Sequence, residues 1–240
     1  MKQNLSIPSL AIRLTAVPAL LVTAAVCIVQ RLMSHPAYSP DESLRVAFDQ
    51  AMPELYGLAG WLGLIALAAV LVLCMTPAKS DFSITLRRLS VPRGRIAVWT
   101  GLLFAAYFFL YWAVQTALIL WLYAIYARGA GLPAIELAVN SYRLAYMHLL
   151  IPLADVWGYG RNLAMALSFG MLCSCIPLSR TRGGRGLLSG LTLGWIGVCF
   201  AATARQPARQ STDIALTLFG LLIFAVAAFA AWKEGAYAED

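Results

Sequence analysis

Long apolar stretches separated by short polar segments make up most of this chain. An α-helix needs about 20 apolar residues to cross the hydrocarbon core of a bilayer. Six stretches approach or exceed that length, and they lie near residues 12–29, 58–75, 96–126, 163–178, 187–204 and 214–232. The pattern therefore predicts an all-α, polytopic membrane protein in which residues 1–240 form a single transmembrane domain.

The composition supports this prediction. Hydrophobic residues make up 61% of the chain and charged residues only 12%, whereas soluble domains carry about 25% charged residues. All five cysteines fall inside the apolar stretches, which favours a packing role over disulfides or zinc binding. No small-x-small cleavage pattern follows the first apolar stretch cleanly, so we expect a retained first helix and not a signal peptide.

The basic residues predict how the chain is oriented in the membrane. Residues 76–95 hold five Lys or Arg residues against the single acid Asp81, and residues 179–186 hold three arginines and no acid. The alternate connecting segments mix both signs. Because Lys and Arg concentrate in short cytoplasmic loops, both termini and the two basic segments are predicted to be cytoplasmic. The net charge of +7 then reflects membrane orientation and gives little reason to propose nucleic-acid binding.

The sequence contains no motif typical of an enzyme. The phosphate-binding loop G-x-x-x-x-G-K-[ST], the G-x-S-x-G elbow and the H-E-x-x-H zinc motif are absent. We therefore expect no catalytic residue, cofactor or metal in this chain. The six predicted spans also contain essentially no ionisable residue, which argues against a proton-driven transporter or a voltage sensor.

Some side chains are candidates for a transport pathway. Four on the third predicted span could line a route for an apolar or amphiphilic molecule, with core packing or an interhelical hydrogen bond as the alternative: Tyr107, Tyr111, Trp112 and Gln115. Before the fourth span, the outer region 128–161 is predicted to contain one or two half-inserted helices. There His148 and Asp155 are candidates for an outer gate; the alternative is an interfacial cap or an ion pair with Arg143 or Arg161.

Small residues in two predicted spans favour close helix packing, because packing replaces the hydrophobic effect between helices in a bilayer. The second span and its approach contain Gly57, Gly60 and Gly63. The fifth contains Gly190, Gly194 and Gly197.

The basic segment 80–95 is predicted to contain a short amphipathic helix near residues 81–91. Phe82, Thr85, Leu86 and Leu89 fall at positions i, i+3, i+4 and i+7 and form one apolar stripe. Arg87 and Arg88 lie to one side of that stripe. Such a helix either lies flat on the membrane surface or binds a cytosolic partner.

An amphipathic helix between the second and third of six spans, ending in Leu-Ser-Val-Pro-Arg, resembles the coupling element of ATP-binding-cassette exporter permeases of the type-2 superfamily. The resemblance implies a permease subunit of a bacterial cytoplasmic membrane, without an ATPase of its own. A separate cytoplasmic ATP-binding subunit would grip the helix, and a second permease chain, identical or different, would complete the pathway. The ATPase-coupling residues it implies are Phe82, Leu86, Arg87, Arg88 and Leu89.

Two other classes of function remain open at this point. A membrane scaffold or assembly factor would use the basic segment only to hold the lipid surface. An intramembrane enzyme would require His148, Asp155 and a Ser or Cys to converge on one cavity.

Overall fold

The computed structural model describes residues 2–34, 54–76, 93–130, 145–150, 155–179, 182–203 and 210–236. These residues form seven helices and no strand. The helices are α1 (Lys2–Met33), α2 (Glu54–Met75), α3 (Arg93–Ala130), α4 (Ala145–Leu150), α5 (Val156–Leu178), α6 (Arg182–Thr203) and α7 (Gln210–Ala236). Every helix except α4 contains a stretch long and apolar enough to cross a membrane. The prediction of an all-α protein with six spans is therefore confirmed.

All six spanning helices begin earlier than their apolar stretches predict, and two of these extensions bear on the site. Helix α5 begins at Val156 and not near residue 163, and α7 begins at Gln210 and not near residue 214. Asp155 is the N-cap of α5, and its carboxylate accepts a hydrogen bond from the Trp157 backbone N–H at 3.0 Å. These extensions bring charged residues into helices that the sequence pattern left uncharged.

Helix α5 lies at the centre of the bundle and packs mainly against α3 and α7. Its contacts are close because small residues face one another. A Cβ at Gly170 would collide with the backbone of Gly101 and Ala105 on α3, and one at Gly220 on α7 would lie 3.0 Å from the Ala164 side chain. Close approach between small residues is how helices gain dispersion energy inside a bilayer.

Helix α1 packs against α2 and α3 at the side of this core. The contact with α2 includes Gly63, where an added Cβ would lie 2.5 Å from a methyl group of Val26. The packing role predicted for the glycines of the second span is thus confirmed.

The glycines of α6 are different. Nothing lies within 4 Å of a Cβ built at Gly183, Gly186, Gly190, Gly194 or Gly197. Between Gly183 and Gly197 the spacing places them on one side of the helix, which we call the glycine face of α6. The predicted packing role of Gly190, Gly194 and Gly197 is therefore not realised among the described residues of a single chain.

Candidate functional site

Buried polar side chains gather towards one end of the bundle, where α1 ends and α2, α5 and α7 begin. The amide nitrogen Nε2 of Gln30, near the end of α1, donates to the backbone oxygen of Tyr56, near the start of α2, at 3.3 Å. The Arg31 guanidinium lies 5.7 Å from the ring centre of Trp121 on α3. We call this the polar end of the bundle. By the charge pattern, it is the end predicted to face away from the cytoplasm.

One group of polar side chains comes from four helices, and we call it the tyrosine–glutamine cluster. Its members share a position within the bundle that is mostly or entirely shielded. They are Cys27 and Gln30 of α1, Tyr56 of α2, Tyr111 and Gln115 of α3, and Tyr146 of α4.

Hydrogen bonds join the members of this cluster across the helices. The Tyr146 hydroxyl donates to Gln115 Oε1 at 3.2 Å, and Gln115 Nε2 approaches Cys27 Sγ at 3.8 Å. The Tyr111 hydroxyl donates to the backbone oxygen of Gly60 at 2.6 Å. Gln115 is therefore an interhelical hydrogen-bond partner, as one of the two interpretations of the sequence predicted.

The cluster has more hydrogen-bonding capacity than its own members use. Gln30 Oε1 and the Tyr56 hydroxyl are buried and have no hydrogen-bond partner among the described residues. Gln30 is 0% and Tyr56 3% exposed. An unpaired buried polar group costs about 1–3 kcal/mol, so such groups are rare in structures unless they bind something.

Tyr146 connects the short helix α4 to this cluster. The residue keeps some exposure, but its hydroxyl lies deep, between α2 and α3. Burial raises the pKa of the Tyr146 phenol well above its ordinary value, so the group is a neutral hydrogen-bond donor. Its hydrogen-bond partner Gln115 belongs to the membrane-spanning part of α3. The Tyr146 side chain of α4 therefore reaches into the bundle.

A second polar group lies at the same end, between α5 and α7. Arg161 and Asp213 form an ion pair at 2.5 Å, and both side chains are 0% exposed. The Arg161 guanidinium also donates to the Leu149 backbone oxygen at 3.2 Å and to Asn162 Oδ1 at 3.1 Å. Asn162 donates to the same Leu149 oxygen at 2.7 Å. Arg161 therefore joins α4, α5 and α7 at one point.

The expectation that the six spans contain essentially no ionisable residue is wrong. Arg161 and Asp213 belong to membrane-spanning helices, although both fall outside the predicted apolar stretches. The helices extend through these residues because each charge is neutralised by the other. The charges of the spans therefore no longer exclude ion-coupled transport.

The predicted pathway residues of α3 occupy different surroundings. Tyr111 and Gln115 belong to the tyrosine–glutamine cluster. Tyr107 accepts a hydrogen bond from the Thr15 hydroxyl of α1 at 3.1 Å, and Trp112 is buried with its ring edge-on to Phe109. The structure thus brings together two of the four.

Of the two predicted gate residues, Asp155 caps α5, as the alternative interpretation predicted. His148 lies on α4, but its side chain is outside what the structure describes. The predicted coupling residues Phe82, Leu86, Arg87, Arg88 and Leu89 also lie outside the described residues.

Sequence reasoning did not single out several residues of these sites, among them Gln30, Tyr56, Tyr146 and Asp213. Each lies near a helix end or in a connecting segment, where a polar residue is expected anyway. The sequence could have identified Gln30 as a candidate site residue by its position. It is the last uncharged polar residue of the first apolar helix and lies one residue before Arg31.

Comparisons with known proteins do not identify a relative. No protein-family model, curated protein or solved structure matches this chain. The arrangement of its own residues therefore carries the functional argument. That arrangement is a six-span bundle with a neutral hydrogen-bonding cluster and a buried ion pair at its polar end.

Proposed function

We propose that this chain is the membrane-spanning permease subunit of an ATP-driven transporter, which exports an apolar or amphiphilic molecule such as a drug, a peptide or a lipid. The observation that carries the proposal is the tyrosine–glutamine cluster, in which polar groups of four helices meet inside the membrane-spanning bundle. Hydrogen-bonding groups inside a membrane bundle are expensive, and they typically mark a pathway or a binding site.

The chemistry of the cluster supports a neutral or amphiphilic substrate. Its side chains are amides, phenols and a thiol, which are neutral near pH 7 at their ordinary pKa values. The helices α2 and α3 that carry Tyr56, Tyr111 and Gln115 also bury apolar side chains, among them Leu64 and Phe108, which are 1% and 0% exposed. A molecule with an apolar body and a few polar groups matches such surroundings.

The energy source in this proposal is a separate ATP-binding subunit. Its docking element is the amphipathic segment near residues 81–91, where Phe82, Leu86 and Leu89 fill a groove of the ATPase. Arg87 and Arg88 pair with its acidic rim. The support comes from the sequence pattern and its position between the second and third spans.

A second permease chain, identical or different, completes the transporter in this proposal. The glycine face of α6 supports the presence of a second chain. No described residue of the same chain lies within 4 Å of a Cβ built at any of its five glycines. Glycine in a helix costs about 1 kcal/mol relative to alanine. Elsewhere in the spans, as at Gly63 and Gly170, a glycine accompanies a close helix contact.

The proposal is tested by replacing Leu86 and Leu89 together with aspartate and purifying the chain from its native host in mild detergent. We expect an ATPase to co-purify with the unchanged chain and to be lost from the double variant. Thr181→Asp is the control, because it adds a carboxylate to the other basic segment that is predicted to be cytoplasmic.

Two outcomes of this experiment contradict the proposal. One is that no ATPase co-purifies with the unchanged chain, which favours the membrane scaffold or assembly factor. The other is that the double variant keeps its ATPase and its substrate-stimulated ATP hydrolysis, which removes the coupling role of residues 81–91.

A further inference from the structure

Tyr146 lies in a slot that other helices build around it. On α2, Gly57 and Gly60 offer no side chain where the Tyr146 ring lies. A Cβ at Gly57 would lie 3.3 Å from Tyr146 Cβ, and one at Gly60 would collide with the Tyr146 hydroxyl. Tyr56 closes one side edge-on, with ring centres 6.1 Å apart at 69°. The slot is therefore shaped for a flat ring.

The floor of the slot consists of hydrogen-bonding groups. Gln115 Oε1 accepts a hydrogen bond from the Tyr146 hydroxyl at 3.2 Å. Gln30 Oε1 and the Tyr56 hydroxyl stay unpaired among the described residues although both side chains are more than nine-tenths buried. A slot that served only packing would be lined by apolar atoms, because unpaired buried polar groups cost free energy.

We propose that this slot is a binding site for a planar ring that carries a hydroxyl group, and that Tyr146 fills the slot as an internal competitor of that ligand. The ligand's ring lies over Gly57 and Gly60, and its hydroxyl donates to Gln115 Oε1. A second donor on the same ligand reaches Gln30 Oε1. The existence of the slot does not depend on the proposed transport function. The further statement that its ligand is the transported molecule does rest on that function.

The class of ligand follows from the groups that face it. The floor offers amide oxygens and phenols and no charged group of the tyrosine–glutamine cluster, so a neutral phenol-class group of an amphiphilic molecule fits, and a carboxylate or an ammonium group does not. Tyr146 itself is such a group, and burial keeps its pKa high and its phenol neutral. The Tyr146 hydroxyl and the hydroxyl of the ligand therefore make the same contact with Gln115 Oε1.

The experiment empties the slot and offers the missing group back. Tyr146→Ala is purified in detergent, and its thermal unfolding midpoint is measured with and without p-cresol, which is the tyrosine side chain as a free molecule. We expect p-cresol to raise the midpoint of Tyr146→Ala by about 3 °C at a concentration well above its Kd. Toluene, which has the same ring without the hydroxyl, is expected to raise it by less than a third as much. The unchanged chain, in which Tyr146 competes for the slot, is expected to respond to p-cresol far less than Tyr146→Ala and not to respond to toluene.

Four results would overturn the proposal, three of them in the folded variant. Equal stabilisation by p-cresol and toluene would make the slot an apolar cavity only, and equal stabilisation of the unchanged chain would make the effect one of the detergent. Stabilisation that persists in Tyr146→Ala/Gln115→Leu would place the ligand elsewhere.

If Tyr146→Ala does not stay folded, it is extracted with each additive present throughout. Recovery with p-cresol alone supports the slot, and recovery with neither contradicts it. No ATPase takes part, so failure here is distinct from failure of the proposed transport function.

Discussion

Arg161 on α5 and Asp213 on α7 form an ion pair in which neither side chain is exposed. The pair lies at the polar end of the bundle, and Arg161 also binds the backbone oxygen of Leu149 on α4. Desolvating two charges costs about as much as their attraction returns, so such a pair adds little net stability over apolar residues of the same size. Removing one partner is a different matter, because it leaves the other charge buried alone.

Asp213→Asn is therefore expected to destabilise the protein by about 3–5 kcal/mol, measured as a lower thermal unfolding midpoint in detergent. Arg161→Met/Asp213→Leu, which removes both charges, is expected to recover most of that loss. Asp155→Asn is the control, since asparagine caps helices about as well as aspartate. A double variant no more stable than Asp213→Asn alone would contradict this account of the pair.

Gly60→Ala tests the position of the Tyr146 ring. An alanine methyl group would collide with the Tyr146 hydroxyl, so we expect a loss of about 1–3 kcal/mol in unfolding free energy. Tyr146→Ala in the same chain removes the obstacle, and the double variant is expected to lose less than the two single losses added together. Additive losses in the thermal unfolding midpoint would mean that Tyr146 does not lie against Gly60.

Gly190→Ala is the matched change on α6 and has the opposite expected effect. Nothing lies within 4 Å of a Cβ at that position, so the monomer is expected to keep or gain stability, by up to about 1 kcal/mol from helix propensity. The measurement is the unfolding midpoint of the monomer fraction from size exclusion. A loss comparable with that of Gly60→Ala would show that the face is covered within the chain.

Gly170→Ala probes the closest contact of the core. The alanine methyl group would collide with the backbone of Gly101 and Ala105. No side-chain substitution can remove those backbone atoms. We expect a loss of about 2–3 kcal/mol, read from the same unfolding measurement. Ala105→Gly should not rescue it, because the Cβ of Ala105 is not among the nearest atoms at the collision. Rescue by Ala105→Gly would mean that α3 and α5 pack in another register.

The glycine face of α6 predicts where a second copy of the chain would lie. In a background with the five native cysteines replaced by alanine, Gly194→Cys is expected to form disulfide-linked dimers in membranes under mild oxidation, seen by non-reducing electrophoresis. Leu222→Cys on α7 is the control, since Leu222 is 57% exposed and lies on no glycine face. Equal cross-linking of both variants would indicate random collision and not a specific contact.

The fold could be predicted from the sequence and the sites only in part. Apolar length alone predicts six spans, because a helix is the way a single segment satisfies its backbone in lipid. Tyr111 and Gln115 stood out as polar residues within an apolar span. Gln30, Tyr56 and Tyr146 did not, because each lies near a helix end, where polar residues are ordinary.

The sequence by itself determined the helical class, the number of spans and the basic segments, since these depend on apolar length and charge counts along the chain. Only the tertiary structure decided that Arg161 pairs with Asp213, that Tyr146 fills a slot over Gly57 and Gly60, and that no described residue packs on the glycine face of α6. These are contacts between residues far apart in the chain. Their partners depend on how helices pack, and helical periodicity specifies a face of each helix but not the neighbour that covers it.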